Sequence, residues 1–125
     1  MKQTRTVEQK IGSEGEKLAL HYLRSKGIEI LHTNWRTGHL EVDIIGMQDD
    51  TLIIIEVKTR GTFFFGTPES AVSGGKIRNL AEAAEEYLIQ KDIDHEVRYD
   101  IIAVLLSENQ LEIEHFEDAF FPGAY

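Results

Sequence analysis

Apolar residues recur every three or four positions near the start of the chain. Ile11, Gly15, Leu18, Ala19, Tyr22 and Leu23 share one side of a helical wheel, which predicts a helix over about 8–26 with Gly27 as its stop. The period then drops to two. IEILHTNWR (28–36), HLEVDIIG (39–46) and TLIIIEVKT (51–59) read as strands, the last two joined by the polar loop Gln48-Asp49-Asp50. RGTFFFG (60–66) shows neither period and reads as an irregular loop. Thr67-Pro68-Glu69 has the cap-then-proline pattern of a helix start. Ser73-Gly74-Gly75 opens a longer helix to about Lys91, with Ile77, Leu80, Ala81, Ala84, Tyr87 and Leu88 as its apolar stripe. EVRYDIIAVLL (96–106) and QLEIEHFE (110–117) are the last two strands, turning around Ser107-Glu108-Asn109. The tail AFFPGAY is expected to lay its aromatics on the core or on another subunit, and residues 1–7 and 118–125 are expected to be peripheral.

The order α-β-β-β-α-β-β predicts an α/β fold, a central mixed five-stranded sheet flanked by helices. Residues 52–57 are apolar on both faces apart from Glu56, as a central strand should be, so that is where charge is most out of place. A chain of 125 residues, 42% hydrophobic, suits one domain with a real core over 1–125. The lack of cysteine excludes disulfides, thiolate zinc sites and cysteine nucleophiles. No apolar run approaches the ~20 residues of a spanning helix, and MKQTRTVEQK has no apolar signal core; no membrane partner and a cytoplasmic location are expected.

Chemistry enters at the second and third strands. Alternation puts His39, Glu41, Asp43 and Ile45 on one face, and Leu52, Ile54, Glu56 and Lys58 on one face of the next strand. If residues 48–51 close an antiparallel hairpin, Asp43 faces Glu56, Glu41 faces Lys58 and Ile45 faces Ile54, with Val42, Ile44, Ile55 and Val57 lining the other side. Two carboxylates opposed beside apolar residues repel each other, and burial raises the cost. A bridging Mg²⁺ would resolve the conflict, with the Lys58 ammonium helping. The alternative is a solvated edge in which Glu41 pairs with Lys58 and Asp43 simply accepts hydrogen bonds. On the first helix, Glu16 falls within the apolar arc, between Leu23 and Leu20. It either has a partner in the interior or borders the arc and reaches solvent near the helix N-terminus.

Gly12-x-x-Gly15-Glu16, Glu41-x-Asp43, Glu56-Val57-Lys58-x-Arg60, Phe65-Gly66, Lys76 and Tyr99-Asp100 together resemble the YraN-like family. That family is similar to the restriction-endonuclease-like superfamily, whose signature is Asp…Glu-x-Lys, and within it to archaeal Holliday-junction resolvases. The resemblance runs from about residue 8 to residue 105 and departs at Leu40, where the family usually has glycine. It implies a restriction-endonuclease-like fold and a Mg²⁺-dependent endonuclease, with Mn²⁺ as a substitute. Asp43, Glu56 and the Val57 carbonyl would ligate the metal, and Glu16 would reach it through water. Lys58 would orient or deprotonate the attacking water and stabilise charge on the phosphate. The implied partner is branched or otherwise structured DNA, and cutting a junction would call for two sites, hence a homodimer.

Other residues have two readings each. His39 is a third ligand or a strand-end residue facing solvent. Phe63-Phe64-Phe65 stack on unpaired bases or anchor a loop. Lys76 and Arg78 lie at a helix N-terminus, where cations are disfavoured unless they meet phosphate or water. Arg36 and Arg60 flank the candidate site and are better placed for backbone phosphates. Asp100 reads as a structural acid with a basic neighbour, and Glu85-Glu86 as a solvated helix face.

Charge first argues against a nucleic-acid partner, because the chain carries −9. Position changes that: residues 1–62 hold nine Lys/Arg and nine Asp/Glu, so the whole excess lies after residue 62. Glu16, Glu41, Asp43 and Glu56 are four of those nine acids. The leading expectation is therefore a metal-dependent DNA endonuclease, binding DNA on one face and with metal. The alternatives are an inactive nucleic-acid-binding or protein-interaction module on the same fold, and a small-phosphoester hydrolase using His39, Glu41 and Asp43.

Overall fold

A computed structural model describes residues 7–60 and 72–122. The elements are α1 (Val7–Ser25), β1 (Glu29–Thr37), β2 (Leu40–Gln48), β3 (Thr51–Arg60), α2 (Gly74–Lys91), β4 (Glu96–Ser107) and β5 (Gln110–Phe116), in the predicted order. The Phe63–Phe65 loop and the Thr67-Pro68-Glu69 helix start lie outside the described residues.

Local chemistry sets the helix ends. Gly27 stops α1 in the left-handed region at φ 82°, where its N–H donates to Arg24 O and the Ile28 N–H to Leu23 O. Ser73 caps α2 by accepting the Lys76 N–H at 3.1 Å, and Asp92 ends it at φ 52°.

The five strands lie in chain order, β1-β2-β3-β4-β5. Every neighbouring pair is antiparallel except β3–β4, which is parallel and joined by the crossover that contains α2. This is the expected α/β architecture, a mixed five-stranded sheet with a helix on each face, and it is consistent with a restriction-endonuclease-like fold. Among the described residues no helix is long and apolar enough to cross a membrane.

One side of the sheet packs Ile45, Leu52, Ile54 and Ile101 on the α2 residues Ile77, Leu80, Ala83, Ala84 and Tyr87. The tail joins this layer through Ala119 and Phe120, while Phe121 is exposed. The other side packs Ile44, Ile53, Ile55, Ile102 and Val104 on Ala19 and Leu23 of α1. α1 comes down on the sheet at Gly15, where a Cβ would stand 3.0 Å from Thr59 Oγ1 and 3.2 Å from Val104 Cγ1. That close approach brings the next residue, Glu16, to the sheet surface.

Asp100, fully buried, is the structural acid that was expected. Its oxygens accept from Arg98 Nε and Nη2 (both 2.9 Å), from His115 Nε2 (2.8 Å) and from the Asp118 N–H (3.0 Å). His115 continues to the Tyr22 hydroxyl at 3.1 Å, so the network ties α1 to β4 and β5. Burial alone would raise the Asp100 pKa, but the His115, Arg98 and Asp118 hydrogen bonds outweigh it and hold the carboxyl below its ordinary range. A carboxyl depressed in the folded state contributes stability above its unfolded pKa and loses it as pH falls through the folded value. Asp100→Asn should cost about 3–5 kcal/mol at neutral pH, measured by urea denaturation, and should flatten the acid limb of the stability curve. A loss below ~1 kcal/mol would show that the network does not hold these elements together.

Candidate functional site

The β2–β3 hairpin has the register derived from the sequence: Ile44 pairs with Ile55, Ile45 with Ile54 and Gln48 with Thr51, across a tight Asp49-Asp50 turn. The paired ladder stops at Ile44↔Ile55. Asp43 and Glu56 therefore lie just beyond the last rung, where the two strands part, rather than facing each other within the ladder.

Side-chain alternation also slips at this point. Leu40 and Val42 pack with Ile45 on the α2 side, whereas Ile44 packs on the α1 side. Strict alternation would have grouped 40, 42 and 44, so the expected single face of His39, Glu41, Asp43 and Ile45 is not formed, and Val42 does not share a face with Ile44. The neighbouring strand carries the matching irregularity, because Asn34, between the rungs Thr33↔Ile44 and Trp35↔Val42, adopts φ 50°. Asparagine is one of the few residues that enter this region at modest cost.

The slip releases Asp43 from a face and points its carboxylate between the strands. Its Oδ2 accepts the Val57 N–H at 2.9 Å, replacing the main-chain acceptor that β2 no longer supplies. On a strand, one residue's N–H and C=O point to the same neighbour. The Val57 carbonyl therefore faces the same gap. Asp43 and Val57 line an open cleft of about 280 Å³ with Gly12, Glu16 and Thr59. Glu16 is half-buried there, and Asn34 Nδ2 donates to its Oε1 at 3.0 Å. Gly12 has open space where a Cβ would be, so it leaves the cleft clear beside Glu16.

Glu56 is only 5% exposed. Its Oε1 is 3.5 Å from Lys58 Nζ and its Oε2 is 3.7 Å from Lys76 Nζ, and Oε2 has no hydrogen-bond partner. Burial pushes the Glu56 pKa up and the Asp43 charge adds to this, against the opposing pull of Lys76 and Lys58. Asp43 is also raised, by burial first, although the Val57 N–H, Lys76 and Lys58 work the other way. Two desolvated carboxylates that raise each other's cost, one of them with an unpartnered oxygen, together with a main-chain carbonyl, are a donor set suited to a hard divalent cation.

The remaining candidates separate. Glu41 pairs with Arg36 across β1–β2 at 3.5 Å, not with Lys58 as the continued register would have it. That pairing takes Arg36 to Glu41 at the outer side of β2. His39 is exposed in the β1–β2 turn, and Glu85-Glu86 are exposed on α2. Arg78 lines a separate cavity with Glu82, Glu85 and Tyr99, so it is not gathered with Asp43 and Glu56. Lys76, expected at phosphate, is on Glu56. Arg60 ends β3, the strand that carries Glu56 and Lys58. No three His, Asp or Glu side chains among the described residues form a ready-made metal cluster, so neither His39, Glu41 and Asp43 nor Glu16, Asp43 and Glu56 make one.

Sequence reasoning missed Asn34, the partner of Glu16. An Asn inside an alternating strand was the available signal, because it marks a position where a strand can kink.

Residues 15–104 match the sequence profile of the uncharacterised protein family UPF0102. A UPF0102 protein of Flavobacterium psychrophilum is 46% identical over 111 residues, covering 89% of this chain and 93% of the relative. One of Parabacteroides distasonis is 45% identical, with 89% and 92% covered, and one of Alkaliphilus oremlandii is 43% identical, with 91% and 100% covered.

The electrostatics predict that the site costs stability. A carboxyl raised in the folded state lowers stability as pH climbs from its unfolded pKa through its folded one. Glu56→Met, which removes the buried acceptor, should stabilise the protein in EDTA at neutral pH by about 1–3 kcal/mol. Thermal denaturation checks this, and a lower Tm for the variant would contradict the account of a strained, desolvated carboxylate.

Proposed function

The chain belongs to the uncharacterised protein family UPF0102, and we propose that it is a Mg²⁺-dependent DNA endonuclease selective for branched or otherwise structured DNA. The observation that carries this reading is the gap beyond the last β2–β3 rung. There a buried Glu56 keeps an unpartnered oxygen beside Asp43, and Lys58 stands on the same strand. A purely structural acid at this depth would be fully hydrogen-bonded, as Asp100 is.

Asp43, Glu56 and the Val57 carbonyl would hold Mg²⁺ or Mn²⁺, and Glu16 would reach it through water. When bound, the ion supplies Lewis acidity and lowers the pKa of water at neutral pH. Two carboxylates and one carbonyl suit Mg²⁺, which keeps several of its waters, so a closed three-acid cluster is not required. The chain's own residues do the rest. Lys58, 28% exposed, is free enough to turn its ammonium from Glu56 toward an attacking water and the phosphate. There it orients the water and stabilises the negative charge that builds during attack. Asn34 fixes Glu16, and Gly12 keeps the cleft wall low enough for a nucleic-acid backbone to approach. Water attacks phosphorus and one P–O ester bond breaks, leaving a phosphate end and a hydroxyl end.

DNA would approach over the formally neutral first half of the chain, with Arg36 and Arg60 from that half and Lys76 and Arg78 from the start of α2 as the cations for backbone contacts. The acidic second half restricts that approach to one face and makes it strongly salt-dependent. Cleavage of both strands at a junction would be the work of a homodimer. The lack of a preassembled three-acid cluster among the described residues favours one second reading, a nucleic-acid-binding module on this fold without activity.

A panel of duplex, flap, fork and four-way junction DNA incubated with Mg²⁺ tests the proposal. Cleavage should appear with metal, vanish in EDTA, and fall at least ~100-fold in Asp43→Ala and in Lys58→Ala. Undiminished cleavage by both variants, after further purification, would remove the mechanism. DNA binding without metal binding or cleavage would leave the module.

A further inference from the structure

Glu56 has two ammonium neighbours, one from its own strand and one from a facing helix. Lys58 is two residues along the same strand and 3.5 Å from Oε1. Lys76 reaches across from the first turn of α2, and its Nζ is 3.7 Å from Oε2. That distance gives Coulomb attraction but exceeds the 2.7–3.2 Å of a nitrogen–oxygen hydrogen bond, and Oε2 accordingly has no hydrogen-bond partner. Lys76 is 36% exposed, so one end of its range is solvent. Its backbone is fixed independently, through the Lys76 N–H to Ser73 Oγ. A cation in the first turn of a helix is placed against the helix dipole, and α2 has no acidic residue in that turn to offset it. What draws the Lys76 ammonium inward is Glu56.

We infer that Lys76 is a built-in counter-cation for Glu56, a positioning residue that yields to a divalent cation and is thereby released toward the phosphate. The inference rests on the metal site proposed above. Without a metal, Lys58 and Lys76 are the ammonium groups that offset the Asp43 and Glu56 carboxylates. A divalent cation adds two charges and binds a carboxylate oxygen at roughly 2.1 Å, far closer than Lys76 stands. Held at Glu56, such a cation would compete with Lys76 for the carboxylate and repel its ammonium. Lys76, the more exposed of the two lysines and the farther from Glu56, is the one that leaves. A phosphate beside the site is then the nearest anion to the released ammonium, so metal binding and phosphate binding assist each other. Lys76 is in this way both a competitor for the empty site and a contact for the filled one.

Calorimetric titration of Mn²⁺ into the wild type, Lys76→Met and Lys76→Arg tests this, with circular dichroism confirming that each is folded. Removing a competing charge about 4 Å from the carboxylate should tighten Mn²⁺ binding by about fivefold in Lys76→Met. Lys76→Arg, which keeps the charge, should bind like the wild type. Equal or weaker binding by Lys76→Met overturns the inference while leaving the metal site standing. Tightening by Met and Arg alike also overturns it, since packing rather than charge would then be responsible. If the wild type and both variants fail to bind at millimolar Mn²⁺, the metal site falls and this inference with it.

Discussion

A main-chain N–H on an interior strand must find an acceptor, and at Val57 the acceptor is a side chain, the Asp43 carboxylate. The other features of the site follow from that substitution. β2 can stay apart from β3 up to Ile44 because the donor it leaves unpaired is still satisfied. The gap this opens admits the Asp43 carboxylate and faces the Val57 carbonyl, with Glu56 the preceding residue on β3. Gly15 lets α1 settle on β3 and β4, which brings Glu16 to the cleft, where Asn34 holds it. Were the ladder to continue by one rung, Asp43 would be an ordinary face residue and there would be no cleft.

Two buried acids in this fold are treated in opposite ways, and the contrast separates scaffold from site. Asp100 receives four donors, and its carboxyl is held below the ordinary range. Glu56 is nearly as buried, yet it has only two loosely placed ammonium groups, an orphaned oxygen and a raised pKa. The first arrangement secures α1, β4 and β5. The second spends stability to keep an oxygen available, which is the usual mark of a functional carboxylate.

Much of this was legible in the sequence, and the reasons for the rest are specific. The change from helical to alternating period located every described element to within a residue or two, and the Ile44–Ile55 register followed from the tight turn. The Asp-Glu-x-Lys residues and Glu16 stood out as charges in apolar surroundings. The slip at Asp43 was not legible, because it depends on Asn34 taking a left-handed conformation in the adjacent strand, beyond the hairpin being read. The partner of Glu41 was misjudged for the same reason: β1 supplies Arg36 on a rung that the β2–β3 arithmetic does not include. Lys76 could be placed on a helix N-terminus, but periodicity carries no information about which sheet residue that helix end overlooks.

The proposed mechanism requires the gap between Asp43 and Glu56 to be a divalent-cation site. Anomalous diffraction from crystals grown with Mn²⁺ tests that most directly. The prediction is a manganese peak within coordination distance of both carboxylates and of the Val57 carbonyl, with Lys76 turned away from Glu56. Manganese found only on exposed surface acids such as Glu85 and Glu86, with the Asp43–Val57 hydrogen bond intact and the gap empty, would contradict it.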